Sequence, residues 1–157
     1  MQTFYKEYLN ILQTCHTDIL KALDGLPPAA LDWTPGPDTN SISVLVFHLT
    51  GAERYWIGGV AAQDPTERDR DAEFRVHDLS ADVLKKRLTD NLEYTRTALE
   101  KFTLQDLETI RVSARDGREF TVAWALLHAL EHDTLHLGQI QLTRQLWEQS
   151  KDKTKFS

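Results

Sequence analysis

The sequence predicts an all-α protein, a single four-helix bundle with long connecting loops. Four long stretches place apolar residues at spacings of three and four, and no stretch shows sustained strand alternation. A length of 157 residues suits one domain with one core. The bundle domain is read over residues 1–150, followed by a polar tail over 151–157.

In the first stretch Phe4, Tyr8, Ile11, Leu12, Cys15, Ile19, Ala22 and Leu23 share a face, and Gly25 with Pro27-Pro28 ends the helix. The Pro- and Gly-rich loop to Asn40 cannot extend it. A second helix starts near Ser41, with Thr39, Asn40 and Ser41 as candidate N-caps. Its inner stripe is Val44, Leu45, His48, Ala52 and Tyr55, broadened by Leu49 and Trp56, and Gly58-Gly59 should fray its end. Residues 63–78 are charged and aperiodic, which reads as an exposed connection.

Ser80 caps a third helix that buries Val83, Leu84, Leu88, Leu92, Thr95, Leu99 and Phe102. β-branched residues then flank Asp116-Gly117, a tight-turn signal that suggests a short hairpin before the last helix. The fourth helix runs from about Val122 to Glu148, with Thr121 as N-cap and Phe120 as a hydrophobic staple. Its links are longer than the roughly 2–8 residues usual in bundles, so an up-down-up-down order does not follow.

A formal charge of −6, from 18 basic and 24 acidic residues, argues against nucleic-acid binding, which relies on clustered Lys and Arg. The run Lys85-Lys86-Arg87 reads as a solvated helix face. No apolar stretch approaches the roughly 20 residues needed to cross a bilayer, so no membrane role is expected. The charged N-terminus is unlike a signal peptide, and the single Cys15 rules out an internal disulfide and a Cys-based zinc knuckle. A cytoplasmic protein is the expectation. Cys15 falls on an apolar face, as an inert buried thiol would.

The chemistry sits in "LLHALEHDTLHLGQI", residues 126–140, where His128, His132 and His136 are four apart. Side chains at that spacing stack one above the other, so adjacent imidazoles can converge on one ion. His128 and His136 lie about 12 Å apart along the axis, too far for metal–nitrogen bonds of roughly 2.0–2.1 Å. One ion can therefore take 128 with 132, or 132 with 136. A third ligand must come from another helix, and His48 lies on the inward stripe of the second. His16, beside the first stripe, and His77, in a loop, are weaker candidates.

"SISVLVFHLTGAERYWI", preceded by Trp33-Thr34-Pro35, and "HALEHDTLHLGQIQLTRQLW" resemble the two signature segments of the DinB-like (YfiT-type) superfamily of metal-binding four-helix bundles. The resemblance covers essentially the whole chain, and His-x₃-His followed by Leu-Gly-Gln-Ile is its more specific part. It implies a divalent metal held by His48, His132 and His136, with His128 left as a pocket or hydrogen-bonding residue.

Three neutral nitrogen ligands leave a coordination position open, as in catalytic zinc sites, and suit Zn²⁺ or Ni²⁺. Superfamily members include transferases and an isomerase that use low-molecular-weight thiols. The expectation is therefore a small-molecule enzyme, a thiol-dependent S-transferase or isomerase acting on electrophiles. A metal-dependent hydrolase is one alternative and a non-catalytic, stress-related metal-binding module another. Glu53, Glu131 and Asp133 are the carboxylates near the ligands, but solvation or an N–H contact is the default for each. Gln139 and Tyr55 lie near the ligand faces, where packing is the default role. Dimers are common in the resembled superfamily, which makes a homodimer an expectation, although no pattern here specifies one.

Overall fold

Ser41, Ser80 and Thr121 each precede a long apolar-periodic run, and each caps a helix. Their side-chain oxygens accept from the backbone N–H of Val44, Val83 and Trp124. The computed structural model describes the backbone of residues 1–153 and the side chains of residues 1–151. The helices are α1 (Thr3–Leu23), α2 (Pro28–Leu31), α3 (Ile42–Glu53), α4 (Arg70–Glu73), α5 (Ala81–Leu99) and α6 (Val122–Lys153). The four long ones form the bundle. The expected hairpin is present as antiparallel β1 (Ile110–Val112) and β2 (Glu119–Thr121), with Ile110 opposite Thr121. Its turn needs the positive φ of Gly117, +71°.

The apolar core falls into two clusters. The first gathers Tyr5, Tyr8 and Leu12 with Ala52, Trp56, Leu99, Leu126 and Ala129. The second gathers Cys15 and Ile19 with Leu45, Leu49, Leu84, Leu88 and Ile140. Along α1 and α6 the chain passes from the first cluster to the second, whereas along α3 and α5 it passes from the second to the first. α1 packs beside α5 and α6, and so does α3, so α1 and α3 face each other across a diagonal. The order is therefore up-down-down-up, and α3 and α5 are parallel neighbours that need a crossover. The long links supply it.

Several expectations are corrected. Phe4, Ile11 and Val83 lie on the predicted stripes but are exposed, at 39%, 52% and 46%. Gly58-Gly59 does not fray the second helix; α3 continues as a π-helical stretch, Arg54–Ala61. Gly58 makes room there, because a Cβ would stand 1.8 Å from Arg54 Nη1 and 2.6 Å from the Tyr94 hydroxyl and would displace both. The connection at 63–78 contains α4 and buries Glu73. α6 runs past the expected end at Glu148 to Lys153, and the rest of the expected tail lies outside the described residues. Among the described residues, no helix is long and apolar enough to cross a membrane.

Candidate metal centre

Where the helices pass between the two core clusters, polar side chains replace apolar ones. α3 contributes His48 and Glu53, α5 contributes Thr95, α6 contributes His132, Asp133 and His136, and α1 contributes His16. Every residue of α3 except Phe47 is buried, so this helix has no solvent side on which a charge could rest.

His48, His132 and His136 come together. His132 Nε2 lies 3.1 Å from His48 Nε2 and 3.2 Å from His136 Nε2. Two nitrogens bonded to one tetrahedral ion stand about 3.3 Å apart, given bonds of roughly 2.0–2.1 Å. The observed spacing is thus that of ligands around one ion. His128 is excluded from this point. Its ring stacks on Trp124 at 4.6 Å and meets the edge of Trp56 at 4.8 Å.

The far side of two rings fixes their tautomers. His48 Nδ1 lies 3.0 Å from Glu73 Oε2, and His136 Nδ1 lies 2.7 Å from Gln139 Oε1. Both oxygens accept, so both Nδ1 atoms carry the proton and both Nε2 atoms present lone pairs to the common point. Arg68 Nη2 also approaches His48 Nδ1, but at 3.4 Å the contact is the longer one. His132 Nδ1 has no hydrogen bond and lies 4.0 Å from Asp133 Oδ1.

With all rings neutral, a proton on His132 Nε2 can bond only one of the other two nitrogens at a time, whereas a cation, an added proton or a metal ion, would serve all three. Protonation is disfavoured. Burial, then the neighbouring His48 and His128, pulls His132 down to about 4. Burial, then His132 and His48, pulls His136 down to about 4 despite the hydrogen bond to Gln139. The residues fit a divalent metal.

Glu73 is held as tightly as the ring it orients. Arg68 donates Nε to Oε1 and Nη2 to Oε2, both at 2.7 Å. Burial works to raise Glu73, yet the hydrogen bonds from Arg68 and His48 keep it below the usual carboxylate range. Gly51, one turn after His48, makes room: a Cβ there would stand 2.0 Å from Glu73 Oε1. A cleft of about 690 Å³ is lined by Glu73 with Thr50, Gly51, Arg68 and Arg87, and none of the three histidines lines its wall.

Sequence reasoning missed most of this support. Glu73 and Arg68 sit in the segment read as an exposed connection, where their charges carried no periodic signal. Gly51, a glycine inside a helix, was the available hint. Gln139 was assigned to packing but is bonded to His136. Glu53 and Asp133, expected in solvent or at an N–H group, are both fully buried. They form a second cluster with His16, whose Nε2 is 3.0 Å from Glu53 Oε2 and 3.5 Å from Asp133 Oδ2. Glu131 is exposed and His77 pairs with Asp78 on the surface, as their positions suggested.

A family model described as the DinB superfamily matches residues 11–140. The chain belongs to the DinB superfamily. Its fold agrees with solved structures of low sequence identity. A conserved protein from Enterococcus faecalis superposes with a TM-score of 0.76 at 17% identity, covering 93% of this chain and 98% of that one. A DinB-like protein from Bacillus cereus gives 0.73 at 20% identity, covering 93% and 92%. A mutant of mycothiol-dependent maleylpyruvate isomerase gives 0.65 at 15% identity, covering 89% of this DinB chain and 63% of that protein. No curated protein matches.

Proposed function

We propose that this DinB protein binds a divalent cation, Zn²⁺ or Ni²⁺, through His48, His132 and His136 and uses it in a thiol-dependent S-transfer or isomerisation of a small electrophile. The observation that carries the reading is the meeting of three Nε2 atoms, two of them fixed as acceptors by Glu73 and Gln139. All three donors are neutral nitrogens, so a bound divalent ion keeps its charge and its open positions. That charge lowers the pKa of a thiol brought to it, so the thiol reacts as thiolate near neutral pH.

The chain's own groups favour a thiol over water as nucleophile. Water activation works best with a free base close by. Glu73 is committed to Arg68 and His48, Glu53 and Asp133 are buried with His16, and Glu131 points outward. A thiol delivered as co-substrate needs no such base. Exposed aromatic rings border the histidines: Phe74 lies 4.7 Å from His48, and Trp124 stacks on His128. They offer an apolar surface for an electrophile. The likeness to a mycothiol-dependent isomerase, weak in sequence, agrees with this reading.

The test is elemental analysis of untagged protein, followed by thiol consumption with a panel of electrophiles. Metal near one equivalent and metal-dependent thiol loss support the reading. Bound metal without turnover reduces the protein to a binding module, and no metal overturns the site.

A further inference from the structure

His16 of α1, Glu53 of α3 and Asp133 of α6 meet in the bundle interior, where their exposures are 2%, 0% and 0%. Two carboxylates this deep require compensation, because an unpaired buried charge is costly. The compensation in place falls short. Glu53 receives the Thr95 hydroxyl at 2.5 Å and the His16 ring at 3.0 Å. Asp133 receives less: His16 Nε2 approaches it at 3.5 Å, a long contact, and neither of its oxygens has a hydrogen bond of good geometry. His16 Nδ1 also has no partner. The unsatisfied groups are mostly acceptors.

We propose that His16, Glu53 and Asp133 form a second, buried divalent-cation site, distinct from the three-histidine centre. One ligand atom from each residue lies within 4.8 Å of the others. Metal bonds of roughly 2.0–2.2 Å place ligand pairs about 3–4.4 Å apart, so a small side-chain adjustment closes the site. A divalent ion balances both carboxylates at once, whereas an imidazolium on His16 offsets one and leaves the other to hold a proton. Inward carboxylates and a histidine from separate helices are an established way for a four-helix bundle to hold metal. Two oxygen donors and one nitrogen also suit a harder ion, such as Mn²⁺ or Fe²⁺, than three imidazoles do.

The test uses the full chain, refolded with Mn²⁺ because the site is closed to solvent, then desalted and analysed for metal. The triple variant His48→Ala/His132→Ala/His136→Ala removes every ligand of the three-histidine centre and should retain one equivalent of Mn²⁺. Pulsed electron paramagnetic resonance should then find one imidazole nitrogen coupled to the ion. Adding Glu53→Gln, or Asp133→Asn if the first does not fold, should abolish retention, with circular dichroism confirming the fold. A folded triple variant that retains no Mn²⁺, a signal from several imidazoles, or retention unaffected by loss of a carboxylate would each overturn the site. The nitrogen count keeps the test decisive even if neither carboxamide variant folds.

Discussion

Gly51→Ala tests whether Glu73 controls the metal centre. The added Cβ lies 2.0 Å from Glu73 Oε1 and 2.7 Å from its Cδ, with Arg68 Nε at 3.3 Å. To restore contact at about 3.5 Å the carboxylate must retreat by roughly 1–1.5 Å. It cannot do so while keeping two 2.7 Å bonds to Arg68 and the 3.0 Å bond to His48. His48 then loses the acceptor that fixes its tautomer and ring angle. Loss of such an orienting partner typically costs about 10–100-fold in metal affinity, or about 1.4–2.7 kcal/mol. Global stability should fall by about 0–2 kcal/mol, since alanine gains about 1 kcal/mol in helix propensity against about 1–3 kcal/mol for overpacking. The assay is competition for Zn²⁺ against a chromophoric chelator, with a thermal melt alongside. Glu73→Ala should give a similar loss, and the double variant no further loss, because both changes remove the same contact. Wild-type affinity in Gly51→Ala, or fully additive losses, would refute the role given to Glu73.

Other outcomes follow from the same geometry. His132 is the nitrogen common to both short contacts, so His132→Ala should weaken Zn²⁺ by more than the roughly 100-fold limit for orienting residues, while His128→Ala should leave it unchanged in the same titration. In metal-free protein His132 and His136 are held at about 4 against an unfolded value near 6.5, so the unfolded chain takes up protons first as pH falls. Stability should therefore be lost between about pH 6.5 and 4, by at most about 3 kcal/mol per ring, as measured by urea unfolding across that range. The buried carboxyls Glu53 and Asp133, raised by burial, act with the opposite sign and bring the net loss below that sum. Cys15 is 4% exposed and its thiol is pushed up to about 12 by burial and then by Asp133 and Glu53, so an aromatic disulfide reagent should label it only on unfolding. Gly58→Ala should displace Arg54 and Tyr94 and cost about 1–3 kcal/mol, read as a fall of about 2–4 °C in Tm per kcal/mol.

Elements with periodic or capping signals were legible in the sequence. Ser41, Ser80 and Thr121 cap the expected helices, Asp116-Gly117 turns the expected hairpin, and the inward stripe of α3 carries His48 to the interior. Spacing alone left His128 and His136 as rival partners for His132, and the resemblance chose the pair that the structure brings together. The failures have physical causes. Helical periodicity identifies a face but not its width, so Phe4, Ile11 and Val83 at the margins were overcounted. Solvation or an N–H contact was the default for Glu53, but every residue of α3 except Phe47 is buried, so its carboxylate has no solvent side to reach. Glu73 and Arg68 lie in an aperiodic charged stretch, where a buried carboxylate leaves the same trace as a hydrated one.

The crossed connectivity has a consequence for assembly. His48 and His132 are 84 positions apart, on helices that become antiparallel neighbours only after the chain has wound through the other bundle positions. Neither half of the polypeptide owns a complete set of donors. Separate fragments cut between α4 and α5 should each be silent toward Zn²⁺, and mixing them should restore uptake only as they reassemble into the native topology. Ion capture in this architecture therefore doubles as a gauge of long-range closure, because it registers contacts between distant parts of the chain rather than any local helix.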